Sequence, residues 1–221
     1  MRNGLFAALV AIACAGCSVA PTPAWQADAH DALESFTVAY LKGDTKLAAR
    51  YFAESRTAVA GTGRPDRVAR MELIRCGVGT AALDFDACSG YEAIKADATD
   101  DDRAYADFLG GNFEQTAGAK LPPQYEGVAK AKDADAQNRA LREIEDPLSR
   151  LVAAGALFRS GRLSPDGISA AVDTASAQAW RHPLLAYLNV QAKLAEAAGD
   201  APALEAIRKR IDLVSKGHNP T

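Results

Sequence analysis

Apolar residues recur at intervals of three and four along most of this 221-residue chain. In the first such segment Ala29, Leu33, Phe36 and Tyr40 fall on one face, and Gly43 ends the pattern. This spacing matches the 3.6-residue period of an α-helix, whereas no stretch shows sustained alternation rich in Val, Ile and Thr. The sequence therefore predicts an all-α protein with little or no sheet.

The later segments contain the same period, separated by capping and turn residues. Pro65 is placed to open a helix in its first turn, and Thr99 is placed to cap a helix that starts with three aspartates. His182-Pro183 is predicted to separate two helices. In the final helix the apolar face consists of Leu204, Ile207, Ile211 and Val214.

Two segments carry a Gly-Asp pair between helical patterns. Residues 39–44 (AYLKGD) are followed by Ala48, and residues 194–200 (LAEAAGD) are followed by Ala203. Each segment resembles the middle of a tetratricopeptide unit, in which a tight turn joins two antiparallel helices and a small residue lets them pack closely. The resemblance implies helical hairpins stacked in a short array.

The first unit departs from that family at three positions. Ala32, Ser35 and Phe36 stand where the family favours a large aromatic residue, a Leu and a small residue. No continuous repeat of about 34 residues joins the two units. Helical hairpins in an ordinary bundle are the alternative, and both architectures require helix pairs to bury their apolar faces against neighbours.

The N-terminal segment has the proportions of an export signal. Arg2 precedes an apolar run of eleven residues, 5–15. As a helix this run is roughly 16 Å long, against the roughly 30 Å of a bilayer's hydrocarbon core, so it is too short to span a membrane stably. We therefore interpret residues 1–16 as a removable signal peptide.

Ala15-Gly16-Cys17 resembles the bacterial lipobox, although Cys14 stands where that family usually has Leu. The resemblance implies that Cys17 carries a diacylglycerol on its thiol and becomes the mature N-terminus in the cell envelope. Ser18 after the cysteine implies sorting to the outer membrane, facing the periplasm. The alternative is an ordinary secretory signal cut after residues 18–20.

The remaining chain divides into a tether and a folded part. Residues 17–24 are predicted to form the lipidated N-terminus and a short extended tether containing Pro21 and Pro23. Residues 25–217 are predicted to form a single all-helical domain, or two subdomains that meet near residues 110–123. This length suffices for a substantial hydrophobic core.

Cys76 and Cys88 are the two cysteines left once the signal and the lipidated cysteine are set aside. An even pair in an exported chain predicts a disulfide. A zinc site is the alternative, but it needs more ligands than two cysteines, and no histidine lies nearby in the sequence.

No recognisable set of residues commits the chain to a chemistry. The formal net charge of −3 gives no reason to expect nucleic acid, which calls for a basic face. Residues 61–65 (GTGRP) lack the spacing and the lysine of a phosphate loop. The pair Asp84 and Asp86 offers too few oxygen donors for calcium. We therefore predict no catalytic residue, no cofactor and no metal.

A partner surface is the remaining candidate site. The loop 112–124 contains Phe113, Leu121, Pro122 and Pro123, and loops that expose apolar residues often form contacts. Trp180 is a further candidate, although an aromatic residue at helical spacing is more often part of the core.

These observations predict a membrane-anchored envelope lipoprotein that binds or scaffolds another envelope protein. Two alternatives stay open. One is an inhibitor or immunity-type lipoprotein that blocks an envelope enzyme or toxin, and the other is an envelope enzyme or small-ligand binder whose site carries no recognisable motif.

Overall fold

The computed structural model describes residues 23–116 and 118–217. Within them the chain forms eleven α-helices and three 3₁₀ turns with no strand, which confirms the all-α prediction. The helices are α1 (Ala24–Lys42), α2 (Thr45–Ala60), α3 (Pro65–Ala81), α4 (Ser89–Glu92), α5 (Asp100–Leu109), α6 (Pro123–Lys130), α7 (Ala134–Glu143), α8 (Pro147–Arg159), α9 (Pro165–Ala177), α10 (Arg181–Ala197) and α11 (Ala201–Lys216). The 3₁₀ turns are Phe85–Cys88, Lys95–Asp97 and Phe113–Thr116.

Both Gly-Asp pairs form the helix-joining turns that the sequence predicts. Gly43 and Gly199 adopt φ values of +85° and +68°, a left-handed conformation that glycine enters without steric cost. The following aspartates cap the next helices. Asp44 accepts a hydrogen bond from the Leu47 N–H, and Asp200 accepts one from the Ala203 N–H, each at 3.0 Å. The first and last helix pairs are therefore hairpins with the same turn chemistry.

The main core surrounds α8, whose residues 151–157 are all buried. This helix packs against α3, α5, α7 and α9. The larger buried side chains of this core include Phe108, Leu141, Leu157 and Tyr187. Because residues 151–157 of α8 are apolar on every side, this part of the helix is central and buried and does not form an amphipathic surface helix.

A smaller core holds the α1–α2 hairpin against α3. Its centre contains Phe36, Phe52 and Leu41, and the rings of Phe36 and Phe52 lie 5.3 Å apart. Leu148 and Trp180 contact both cores from their edges. The N-terminal hairpin is thereby attached to the rest of the bundle by side chains from α8 and from the turn before α10.

The crossing of α3 and α8 depends on a residue without a side chain. A Cβ atom at Gly155 would lie only 2.0 Å from the carbonyl oxygen of Thr80. We therefore expect Gly155→Ala to force the two backbones apart and to lower the free energy of unfolding by about 1–3 kcal/mol, as overpacking does in close-packed cores. Urea unfolding followed by circular dichroism measures this change.

Gly127→Ala is the matched control for this prediction. Gly127 also lies inside a helix, but its added Cβ would meet Ala140 at an ordinary 3.6 Å. This substitution should raise stability by roughly 0.5–1 kcal/mol because alanine loses less conformational entropy than glycine in a helix. Equal effects of the two substitutions would contradict the close helix crossing.

Cys76 and Cys88 are paired as a disulfide, with their Cα atoms 4.3 Å apart. Cys76 lies in α3, and Cys88 ends the first 3₁₀ turn. Both residues are buried in the main core. The pair predicted from the sequence is thus brought together, and it fastens the segment after α3 back onto that helix.

Several boundaries differ from the sequence prediction. His182 and Pro183 do not separate two helices but lie in the first turn of α10. Proline is tolerated there because the first backbone N–H groups of a helix have no intrahelical acceptor. Helix α1 begins at Ala24, the last residue assigned to the tether. Cys17 and the rest of residues 1–22 lie outside the described part of the chain.

Candidate functional site

The most exposed apolar surface of the N-terminal hairpin is a groove between α1 and α2. We call it the α1–α2 groove and define it by Glu34, Val38, Lys42, Leu47 and Tyr51. Its volume is about 510 Å³. Val38 is 44% exposed, although it is β-branched and apolar, whereas Leu47 and Tyr51 are half-buried.

The helical period explains why this surface is left open. The buried face of α1 includes Ala29, Phe36 and Tyr40, and it packs against α2, α3 and α10. Val38 lies two residues after Phe36. Two residues turn an α-helix by about 200°, so the Val38 side chain lies on the side of α1 opposite Phe36. The sequence prediction omitted Val38 and Leu47. The available signal was an apolar β-branched residue on the polar side of an amphipathic helix.

Polar groups border the apolar floor of the α1–α2 groove. Glu34 and Lys42 lie on α1 about one turn before and one turn after Val38. The Asp44 carboxylate accepts a hydrogen bond as the cap of α2. The guanidinium of Arg50 lies 5.3 Å from the centroid of the Tyr51 ring. An apolar centre with a polar border is the usual composition of a protein interface, and a groove between two helices suits an apolar side chain from a partner.

The loop 112–124 is not the exposed apolar surface that the sequence predicts. Phe113 and Leu121 are buried in the main core, with exposed fractions of 4% and 5%. The ring of Phe113 contacts Phe108 edge-on at 5.5 Å. The prediction was wrong for these two side chains because a loop that passes over a core can contribute apolar residues to it. Pro122 is half-buried and Pro123 is exposed.

Pro122 and Pro123 line a cleft of about 400 Å³ together with Arg70, Asp101 and Asp102. The guanidinium of Arg70 lies 2.9 Å from Asp102, and the Thr99 hydroxyl donates to the same carboxylate at 2.7 Å. The Thr99 hydroxyl also accepts from the Asp102 N–H, as the capping prediction requires. Asp102 is therefore committed to an ion pair and a helix cap, which leaves Asp101 as the exposed carboxylate of the cleft.

Two tyrosines form the inner wall of this cleft. The rings of Tyr105 and Tyr125 stack with centroids 5.5 Å apart and an interplanar angle of 17°. Burial raises the pKa of both phenols, so they stay protonated at neutral pH. The cleft thus combines two protonated phenols with the exposed carboxylate of Asp101 and the ammonium of Lys120.

Tyr40 joins the N-terminal hairpin to Asp84, which follows α3, and to His182 in α10. Its hydroxyl donates to the Asp84 carboxylate at 2.5 Å, and its ring lies 4.8 Å from the His182 ring. Nδ1 of His182 is 3.2 Å from the Tyr40 carbonyl oxygen. Burial, followed by the bond to Asp84, raises the pKa of the Tyr40 phenol. The contacts are those of a structural junction. Trp180 is half-buried and packs against both cores, and it does not line the cleft that contains Pro122 and Pro123.

Membrane-spanning helices and metal-binding clusters were both sought among the described residues. No helix in residues 23–116 and 118–217 combines the length and apolar character needed to cross a bilayer. The same residues contain no group of three or more His, Cys, Asp or Glu side chains arranged to hold a metal ion.

The chain matches no protein-family model, no curated protein and no solved structure.

Proposed function

We propose that this protein is an envelope lipoprotein that binds another envelope protein through the α1–α2 groove. The observation that carries the proposal is the open apolar floor of the groove, where Val38 is 44% exposed beside Leu47 and Tyr51. When a partner covers exposed apolar area of this kind, the area leaves contact with water and the free energy of the complex is lowered. The bundle behind it presents the groove on two ordered helices, so binding requires little ordering of the site.

The anchor in this proposal is a lipid on Cys17, with the folded part in the periplasm and the lipid in the outer membrane. The lipobox-like Ala15-Gly16-Cys17 supports it. The disulfide between Cys76 and Cys88 is consistent with an oxidising compartment outside the cytoplasm. A multiply acylated cysteine is a firm anchor because each buried methylene contributes about 0.8 kcal/mol.

Crosslinking in cells, followed by recovery of the tagged full-length protein from envelopes, tests the proposal. We expect one partner in near-equal amount. Val38→Asp should reduce its recovery about tenfold or more, because the new carboxylate would be buried without a partner at the interface. The substitution should leave the fold intact because valine and aspartate have similar helix propensities and Val38 is outside the core.

Leu213→Asp is the matched control. Leu213 is one of two other exposed large apolar side chains of the described helices, at 75%, and the second is Leu194 at 46%. It should leave partner recovery unchanged. Equal recovery with Val38→Asp and with the unchanged protein would rule out the α1–α2 groove as the binding site.

Cys17→Ser should release the protein from the membrane fraction and reduce partner recovery. A Cys17→Ser protein that still fractionates with membranes would rule out the lipid anchor.

A further inference from the structure

A second cleft lies at the end of the N-terminal hairpin where the described chain begins. We call it the Trp25 cleft, with a volume of about 520 Å³. It forms where the first turn of α1 meets the turn between α2 and α3. The residues that line it are Trp25, Ala58, Gly61, Thr62, Arg64 and Arg67.

The length of the chain before this cleft fixes its distance from Cys17. Six residue steps separate Cys17 from Pro23, and a fully extended chain covers at most about 3.6 Å per residue. Pro23, the N-cap residue of α1, therefore lies within about 22 Å of a lipid-bearing Cys17. The other end of α1 is 19 residues away, or about 28 Å along the helix axis. A lipid on Cys17 would consequently tether the Trp25 end of α1, and not its far end, to the bilayer.

The side chains of the cleft are the types found at bilayer surfaces. The guanidinium of Arg67 lies 5.1 Å from the centroid of the Trp25 ring, which is half-buried. Indole is amphipathic and prefers the level of the lipid headgroups. Guanidinium groups bind phosphate oxygens through two parallel hydrogen bonds.

The ion pairs of the cleft distinguish its two arginines. Arg64 is paired with Asp66, whose carboxylate lies 2.7 Å from its guanidinium. No carboxylate among the described residues lies within 4 Å of the Arg67 guanidinium. Arg67 is thus the cation of this cleft that is available to an external phosphate.

We propose that the Trp25 cleft is the surface that this protein sets against the bilayer, with the indole at headgroup level and Arg67 on lipid phosphate. The inference rests on the proposed lipid anchor at Cys17. It also orients the molecule: the α1–α2 groove, centred on Val38 thirteen residues further along α1, would stand about 20 Å higher than Trp25 if α1 is upright.

The two tryptophans of the sequence permit a direct test. Trp180→Phe leaves Trp25 as the single fluorophore, and Trp25→Phe leaves Trp180, which lies by the opposite end of α1 close to His182 and Tyr40. The full-length lipoprotein is reconstituted into phosphatidylethanolamine and phosphatidylglycerol vesicles with brominated acyl chains. We expect Trp25 to lose about half of its emission and Trp180 to lose almost none.

A charge-reversal pair tests the phosphate contact. Arg67→Glu should reduce the quenching of Trp25, whereas Arg159→Glu should not, although Arg159 lies over the Phe85 ring at the same 5.1 Å. If Trp25 is quenched equally in the Arg67→Glu and Arg159→Glu variants, the phosphate contact is overturned. Vesicle-bound, acylated protein with unquenched Trp25 would overturn the membrane-facing cleft and leave the anchor standing. Protein without an acyl chain by mass spectrometry would overturn the anchor and this inference together.

Discussion

Phe108→Ala should lower the free energy of unfolding by about 3–5 kcal/mol. Phe108 is fully buried at the centre of the main core. Its ring centroid lies 4.8 Å from that of Tyr125 and 5.5 Å from that of Phe113. Removal of the ring takes away the buried apolar area and leaves a cavity that α5, α6 and the loop 112–124 cannot close without moving.

Chemical unfolding at equilibrium measures this loss, and Phe85→Ala is its matched control. Phe85 is half-buried in the first 3₁₀ turn, where its ring contacts Arg159. Its replacement should cost about 1 kcal/mol, because less area leaves water and the surface can relax around the gap. If the two substitutions cost the same, Phe108 does not have the central position that the structure gives it.

Removal of the disulfide should cost about 3 kcal/mol, the chain-entropy estimate for a loop of this length. The bridge joins residues twelve positions apart. In its absence the unfolded chain gains freedom, and the segment between α3 and α4 loses its covalent attachment to α3. The double substitution Cys76→Ala with Cys88→Ala should show this loss as a lower melting temperature.

Reduction provides the control for that measurement. With dithiothreitol the unsubstituted protein should fall close to the stability of the double variant, whereas the double variant should not respond. Mass mapping of the unreduced protein should recover Cys76 and Cys88 in one linked pair of peptides. Free thiols on both residues, or a stability that dithiothreitol leaves unchanged, would contradict the bridge.

The helix boundaries were predicted best where short-range chemistry decides them. Thr99 caps α5 and Pro65 opens α3, as their residue types require. The two Gly-Asp turns were predicted for the same reason, since a left-handed glycine and an aspartate cap act over four residues. These features depend on neighbours in the sequence and not on the packing of distant segments.

The candidate sites were predicted less well because exposure is a property of the assembled bundle. The apolar content of the loop 112–124 predicts an exposed surface, but Phe113 and Leu121 complete the main core. Val38 was not selected, yet it forms the floor of the α1–α2 groove. A residue list cannot show which apolar side chains remain uncovered after the helices have packed.

The sequence by itself determined the all-α class, the main helix caps, the two hairpin turns and the pairing of Cys76 with Cys88, because periodicity, capping and cysteine count are local or compositional properties. Only the tertiary structure decided that α8 is central, that Gly155 lets it approach α3, and that the α1–α2 groove and the Trp25 cleft stay open. These features arise from contacts between residues far apart in the chain. Such contacts depend on how whole helices pack against one another, which no local pattern encodes.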